Sequence, residues 1–403
     1  MQYDFDKEVP RGGTYASKWE LMQDEQNPQR MKQTDAYYGE NRILPMWVAD
    51  MDFTCPEPMI EALVARARQG VYGYTYAPDA YFEAVIGWMK RRHGWAISPE
   101  WICLAPGVVP ALSMLVRTFI APGEKVLIQP PVYPPFYSVV QNNGGEVVTN
   151  PLIYEGGRYR MDFEHLEQVA QDPSVRMAIL CSPHNPIGRV WTAEELYRFG
   201  EICSRNNVQV IADEIHGDLI YRGSTFTPFA SLEADFAERA ITCSAPSKTF
   251  NMAGLKTSTC IIPDPELRAR FEKTLQSNGL HGMNVFGVIA AEVAYTSGDE
   301  WLGQALDYIE GNLRYAQQYV AEHLSDISIV PPEGTYLLWL DCRKLGLDKA
   351  GMERLFLHEA RVFIEDGSIF GAEGAGFQRM NIACSRSLLK EALARIATAL
   401  HRI

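Results

Sequence analysis

From about residue 55 to residue 290 the chain alternates between two hydrophobic patterns. Short, nearly unbroken apolar runs at 102–104, 125–128, 177–180, 208–212, 241–243 and 257–262 are separated by stretches with helical periodicity. Runs that stay apolar at consecutive positions predict strands buried on both faces, and helices between them predict crossovers. One helix announces its start: Thr192-Ala193-Glu194-Glu195 is a capping box, followed at helical spacing by Leu196, Phe199 and Ile202. The expectation is an α/β domain with a mostly parallel sheet covered on both faces by helices. Beyond residue 290 the pattern changes. Leu302, Leu306, Ile309, Leu313, Ala316, Val320 and Leu324 form one apolar stripe of a long helix. Apolar runs at 335–340, 362–364 and 378–383 then mix with helical stretches near 350–360 and 387–400, with a glycine-rich loop at 367–376. Residues 1 to about 45 are polar, with aromatic anchors at Trp19 and Tyr37-Tyr38. The predicted organisation is a large domain over 50–290, and a smaller α+β domain built from 291–403 and an N-terminal arm, 1–49.

Charge narrows the partners. With 37 basic and 50 acidic residues the 403-residue chain carries a net charge of −13 and has no basic block. Nucleic acid and anionic membrane are disfavoured by long-range repulsion. The eight cysteines are scattered without a Cys-x-x-Cys pair, and several lie inside apolar runs. They read as buried thiols rather than bridges or zinc ligands, and no metal is expected. The N-terminus MQYDFDKEVPRGG has no apolar signal core, and the apolar helix near 108–120 carries Arg117. A cytoplasmic location follows as the default.

Ligands of a doubly wound sheet bind beyond the carboxyl ends of its strands. Tyr133, Asn185, Asp213 and Lys248 each fall at such an end, in separate strand–helix units. Together they offer an aromatic face, an amide, a carboxylate and an amine. Gly107-Val108-Val109 opens a helix, whose backbone N–H groups and dipole suit a phosphate. A lysine at a strand tip in a partly desolvated cleft can become a nucleophile. Pyridoxal phosphate needs a lysine for covalent attachment, a carboxylate at its ring nitrogen and a phosphate cradle.

Here the chain resembles the fold type I pyridoxal-phosphate enzymes of the aminotransferase class I/II superfamily, and within them the MalY/PatB type of cystathionine β-lyase. The matching pieces are Trp47-Val48-Ala49-Asp50-Met51-Asp52-Phe53, Gly70-Val71-Tyr72-Gly73-Tyr74, Cys181-Ser182-Pro183-His184-Asn185-Pro186, Asp213-Glu214-Ile215-His216 and the region of Lys248, with Arg379 and Asn381 near the C-terminus. The resemblance implies that Lys248 is the Schiff-base lysine and that Asp213 pairs with the pyridinium nitrogen. Asn185 would hydrogen-bond the ring's 3′-oxygen and Tyr133 would stack on the ring. Gly107, Val108, Ser247 and Lys256 are phosphate candidates. Tyr74 would reach the phosphate of a neighbouring subunit, which implies a homodimer with shared sites. Arg379 would hold the substrate α-carboxylate as a planar fork, with Asn185 beside it.

Two positions depart from the common aminotransferase pattern and resemble the lyase branch. His216 stands where many aminotransferases carry tyrosine, and Lys256 where they carry arginine. The implied reaction is α,β-elimination of L-cystathionine, cysteine or other S-substituted cysteines to a thiol, pyruvate and ammonia, with Lys248 moving the α-proton. Transamination is the alternative, because it uses the same lysine and aspartate. A regulatory protein-binding role is a further one; His184 reads as either a proton carrier or a supporting residue, and His216 as a supporting residue at the cofactor site.

Overall fold

The computed structural model describes residues 1–24, 27–280 and 282–402. The chain divides into two compact units: Cys55–Gly303 with Glu333–Thr335, and Met1–Thr54 with Gln304–Pro332 and the chain from Tyr336 onward.

The first unit is built on a seven-stranded sheet: β1 (Ile102–Ala105), β2 (Lys125–Ile128), β3 (Glu146–Thr149), β4 (Val175–Cys181), β5 (Gln209–Asp213), β6 (Ala240–Ser244) and β7 (Ser258–Ile261). Their spatial order is β1-β7-β6-β5-β4-β2-β3. The pairs from β6 through β3 are parallel, whereas β7 runs antiparallel to both β6 and β1. The 257–262 run, expected as one more strand of a parallel set, is thus its exception. The link from β6 to β7 holds only the turn Pro246–Thr249 and the short turn Ala253–Leu255. Neither is long enough to carry the chain back along the sheet, so β7 must start at the edge where β6 ends.

The unbroken apolar strands are explained by cover on both faces. Met177, Ile179 and Cys181 of β4 join one buried cluster with Ala111, Leu112, Leu115 and Val116 of helix α2 (Val108–Phe119; α1 is Asp79–His93). The intervening Ala178 and Leu180 are equally buried, and strand alternation turns them to the opposite face. Helix α3 (Ala193–Arg205) begins at the capping box seen in the sequence: Thr192 accepts from Glu195 N–H and Glu195 accepts from Thr192 N–H. Such a cap contributes about 1 kcal/mol, and burial of each of Leu196, Phe199 and Ile202 about 2 kcal/mol. Helices α4 (Pro265–Ser277) and α5 (Val285–Ser297) complete the unit, and α6 (Asp299–His323) leads out of it along the predicted stripe.

The second unit centres on a four-stranded antiparallel sheet, β8 (Ser328–Val330), β9 (Leu337–Asp341), β10 (Glu365–Asp366) and β11 (Phe377–Asn381), in the order β8-β9-β11-β10, with the C-terminal helix α7 (Arg386–Leu400). The apolar run expected to pair from residue 335 does so only from Leu337, because Thr335 takes a φ of 67° that interrupts extended backbone. Helical periodicity near 350–360 corresponds to an α-turn, Lys349–Glu353, that widens into a π-helical segment, Arg354–Glu359. The N-terminal residues belong to this unit: Leu44–Pro45 pairs in parallel with Val362–Phe363, and Asn381 Nδ2 donates to Val48 O and Asp50 O at 2.7 Å each. Among the described residues no helix is long and apolar enough to cross a membrane.

Candidate active site

Four adjacent strands deliver four of the expected groups to one edge of the large sheet. Tyr133 follows β2, Asn185 follows β4, Asp213 ends β5, and Lys248 follows β6. Asp213 lies in register with Cys181 on one side and Cys243 on the other, so it holds the middle of this edge. Lys248 and Tyr133 are part-buried, while Asn185 and Asp213 are buried. The backbone N–H of Asn185 is spent on Cys181 Sγ at 3.4 Å, which anchors the loop.

The reversed strand β7 brings in the fifth group. Because β7 starts where its neighbours end, Lys256, Thr257 and Ser258 reach the same edge as Ala105 and Gly107. Ser258 Oγ accepts from Gly107 N–H at 3.2 Å and donates to Ala105 O at 3.0 Å. Gly107, at a φ of 119° and a ψ of 157°, stands as the N-cap of α2, and no side chain caps that helix. Helix starts of this kind leave their first N–H groups, here those of Val108 and Val109, without intrahelical acceptors and ready for an anion. Lys256 is exposed and adopts left-handed backbone at a φ of 51°; Ser247 is half-buried beside Lys248. Ser258 was not singled out by the sequence, because its place depends on the strand's direction.

Electrostatics mark Asp213. Burial is the largest influence and pushes its carboxyl up to about 7, against Ile215 N–H at 3.2 Å and the positive charge of Lys248. Burial likewise pushes the neighbouring Glu214 up to about 8, with Phe229 N–H opposing and the charge of Asp213 adding. An acid raised in the folded state holds its proton more tightly there than in the unfolded chain. Its contribution to stability is therefore present at low pH and is lost as pH rises from about 4 through about 7. The cofactor-free protein is expected to melt at a lower temperature at pH 7.5 than at pH 5, with a shallower slope in Asp213→Asn. Thermal unfolding of both proteins across that range measures it, and identical slopes would remove Asp213 as the cause. A cationic ring nitrogen at Asp213 would favour the charged carboxylate instead, so this buried acid suits a protonated pyridine.

His184 and His216 are both buried. His184 Nε2 lies 3.3 Å from Gln129 O, its ring stands edge-on to Trp191, and burial pushes its pKa down to about 3. A histidine held that low is neutral at ordinary pH. Tyr74 is wholly exposed in the single chain, in a run with exposed Val71, Tyr72 and Tyr76. Arg379 lies on β11 in the second unit. Its guanidinium pairs with Glu365 across the strands, donates to Trp47 O at 3.0 Å and stacks over Phe370 at 4.9 Å. Asn381, two residues on, fixes the Val48 to Asp50 backbone of the same unit. All eight cysteines are free, seven of them buried, and no group of residues able to hold a metal occurs among the described residues.

An amine, a carboxylate, an amide, an aromatic face and an uncapped helix start on one sheet edge match the donors that pyridoxal phosphate requires. Comparison with known proteins agrees. The chain matches the aminotransferase class I and II family over residues 46–396. It is 46% identical over 397 residues to cystathionine beta-lyase PatB of Bacillus subtilis, covering 98% of this chain and all of that protein. It is 31% identical to Protein MalY of Escherichia coli, covering both chains in full. The crystal structure of cystalysin from Treponema denticola, which contains a pyridoxal 5'-phosphate cofactor, superposes with a TM-score of 0.94 at 36% identity, covering both chains in full. The chain therefore belongs to the aminotransferase class I and II family and has the fold type I architecture, alongside proteins of the PatB and MalY type.

Proposed function

We propose that this protein is a pyridoxal-phosphate-dependent carbon–sulfur β-lyase that converts L-cystathionine and water to homocysteine, pyruvate and ammonia, and that also accepts cysteine or other S-substituted cysteines. The observation that carries the reading is the pairing of Lys248 with buried Asp213 at the ends of adjacent strands, in a chain so close to PatB.

Bound pyridoxal phosphate supplies the electron sink that lets an amino acid lose its α-proton and then a β-thiolate. The chain's own residues do the rest. Lys248 would hold the cofactor covalently and, when free of it, would act as the general base at the substrate Cα. Asp213, ionised, would face the ring nitrogen and keep it protonated. Asn185 would donate to the 3′-oxygen, Tyr133 would cover one ring face, and Val108 N–H, Gly107, Ser247 and Lys256 would cradle the phosphate. His216 supports the Asp213 loop. Tyr74, exposed in one chain, completes the phosphate site of a second copy, making a cytoplasmic homodimer. The free, mostly buried cysteines suit such a reducing compartment.

Arg379 binds the α-carboxylate. Its contacts with Glu365, Trp47 O and Phe370 already set the plane of the guanidinium. Arg379→Lys keeps the charge and loses the fork, so KM for cystathionine is expected to rise about tenfold or more with kcat within a few-fold. Steady-state kinetics measure this, and an unchanged KM would assign the carboxylate to another residue. The activity itself is tested by incubating the holoenzyme with L-cystathionine and no keto acid. Stoichiometric pyruvate and homocysteine are expected. Turnover that appears only when a keto acid is added would replace the lyase by a transaminase.

A further inference from the structure

Lys248 sits on a single helical turn, Pro246–Thr249. One turn of helix does not hold itself together, since nucleation is unfavourable and only tertiary contacts can offset it. The two residues after Lys248 supply those contacts. Phe250 is fully buried, with Trp88 at 5.4 Å, Trp301 at 6.0 Å and Tyr295 at 6.3 Å between ring centroids. Thr249 is also fully buried, and its Oγ1 donates to Asp218 Oδ2 at 2.7 Å.

Asp218 lies deep in the first unit, 7% exposed. It receives three donors: Thr249 Oγ1, Trp88 Nε1 at 3.0 Å, and His93 Nε2 at 2.9 Å. Burial alone would raise its carboxyl, but these contacts, led by His93, leave it below the usual range. Its place in the chain gives the contact meaning. Asp218 follows Asp213 by five residues, in a tight turn closed by Gly217 N–H to Glu214 O and Leu219 N–H to His216 O, both at 2.9 Å. One rigid loop thus carries Asp213 at one end and, at the other, the carboxylate that grips the residue next to Lys248.

We propose that Asp218 is a positioning residue for the reaction: through Thr249 it sets the separation and orientation of Lys248 relative to Asp213. Those two side chains must address opposite sides of one rigid ring, the ring nitrogen and the carbon that carries the amine. A crosslink between their loops fixes that span. His93 and Trp88, at the C-terminal part of α1, hold Asp218 itself in place. A displacement of about 1 Å between reacting groups can lower a rate on the order of a hundredfold, so a single hydrogen bond adjacent to the lysine is enough to matter.

The inference rests on Lys248 being the residue that carries the cofactor, and Lys248→Ala tests that separately through loss of the covalently bound visible absorbance. The positioning role is tested with Thr249→Val, which removes the hydroxyl at nearly constant volume, and Thr249→Ser, which restores it. In the holoenzyme, Thr249→Val is expected to lower kcat about tenfold or more with KM within a few-fold, and to change the visible circular dichroism of the bound cofactor. Thr249→Ser is expected to recover both. A valine variant that loses thermal stability while keeping kcat and the dichroic band would make the contact merely structural and overturn the proposal. So would a loss that serine does not repair. If the valine variant does not fold, Thr249→Cys, close to serine in size but a much weaker donor, takes its place with the same two readouts.

Discussion

Lys248→Ala is expected to abolish β-elimination, with kcat/KM falling on the order of 10⁴-fold or more, because two functions vanish together. In the proposed mechanism the amine is both the covalent holder of the cofactor and the base at Cα. A positioned general base alone contributes about 10² to 10⁴. The lysine's part-buried setting, beside an acid whose charge it partly offsets, suits both tasks. The variant should still fold: the turn keeps Thr249 on Asp218 and Phe250 in its aromatic cluster. Pyruvate release from L-cystathionine measures the activity, and visible absorbance after gel filtration measures the attached cofactor. An alanine variant that retained turnover would move the chemistry to another amine.

Asp213→Asn carries the second large effect, an expected loss in kcat of about 10² to 10³, as for removal of one preorganised electrostatic partner. The amide matches the carboxylate in shape and can still meet Ile215 N–H, so the fold has little reason to change. It cannot supply the negative charge that keeps a ring nitrogen protonated. Burial disfavours that charge in the cofactor-free chain, pushing Asp213 up to about 7, and in the proposed holoenzyme the ring's positive charge would offset it. The variant should therefore retain folded stability, lose affinity for pyridoxal phosphate, and show its largest deficit in the α-proton step. An α-deuterated substrate reads that step, and a kinetic isotope effect no larger than in the wild-type enzyme would argue against it.

Much of the large unit was legible from local pattern. Strands buried on both faces show as unbroken apolar runs, and the ends of such strands are where side chains of unlike chemistry stand out: Tyr133, Asn185, Asp213 and Lys248. The capping box at Thr192 was readable because it is entirely local. The short edge strand Glu146–Thr149 was not readable, since none of its four residues is fully buried and the stretch is only partly apolar. The sequence by itself thus determined the fold class and put Tyr133, Asn185, Asp213 and Lys248 at strand ends, because both depend on patterns within a few residues. Tertiary structure alone decided that β7 runs backwards, so that Ser258 meets Gly107 and Lys256 joins the same edge. It alone placed Glu365 against Arg379 and closed the contact of Asp218 with Thr249. Those pairs are 14 to 151 residues apart in the chain, and nothing in local periodicity encodes which buried polar groups will satisfy one another once the strands are assembled.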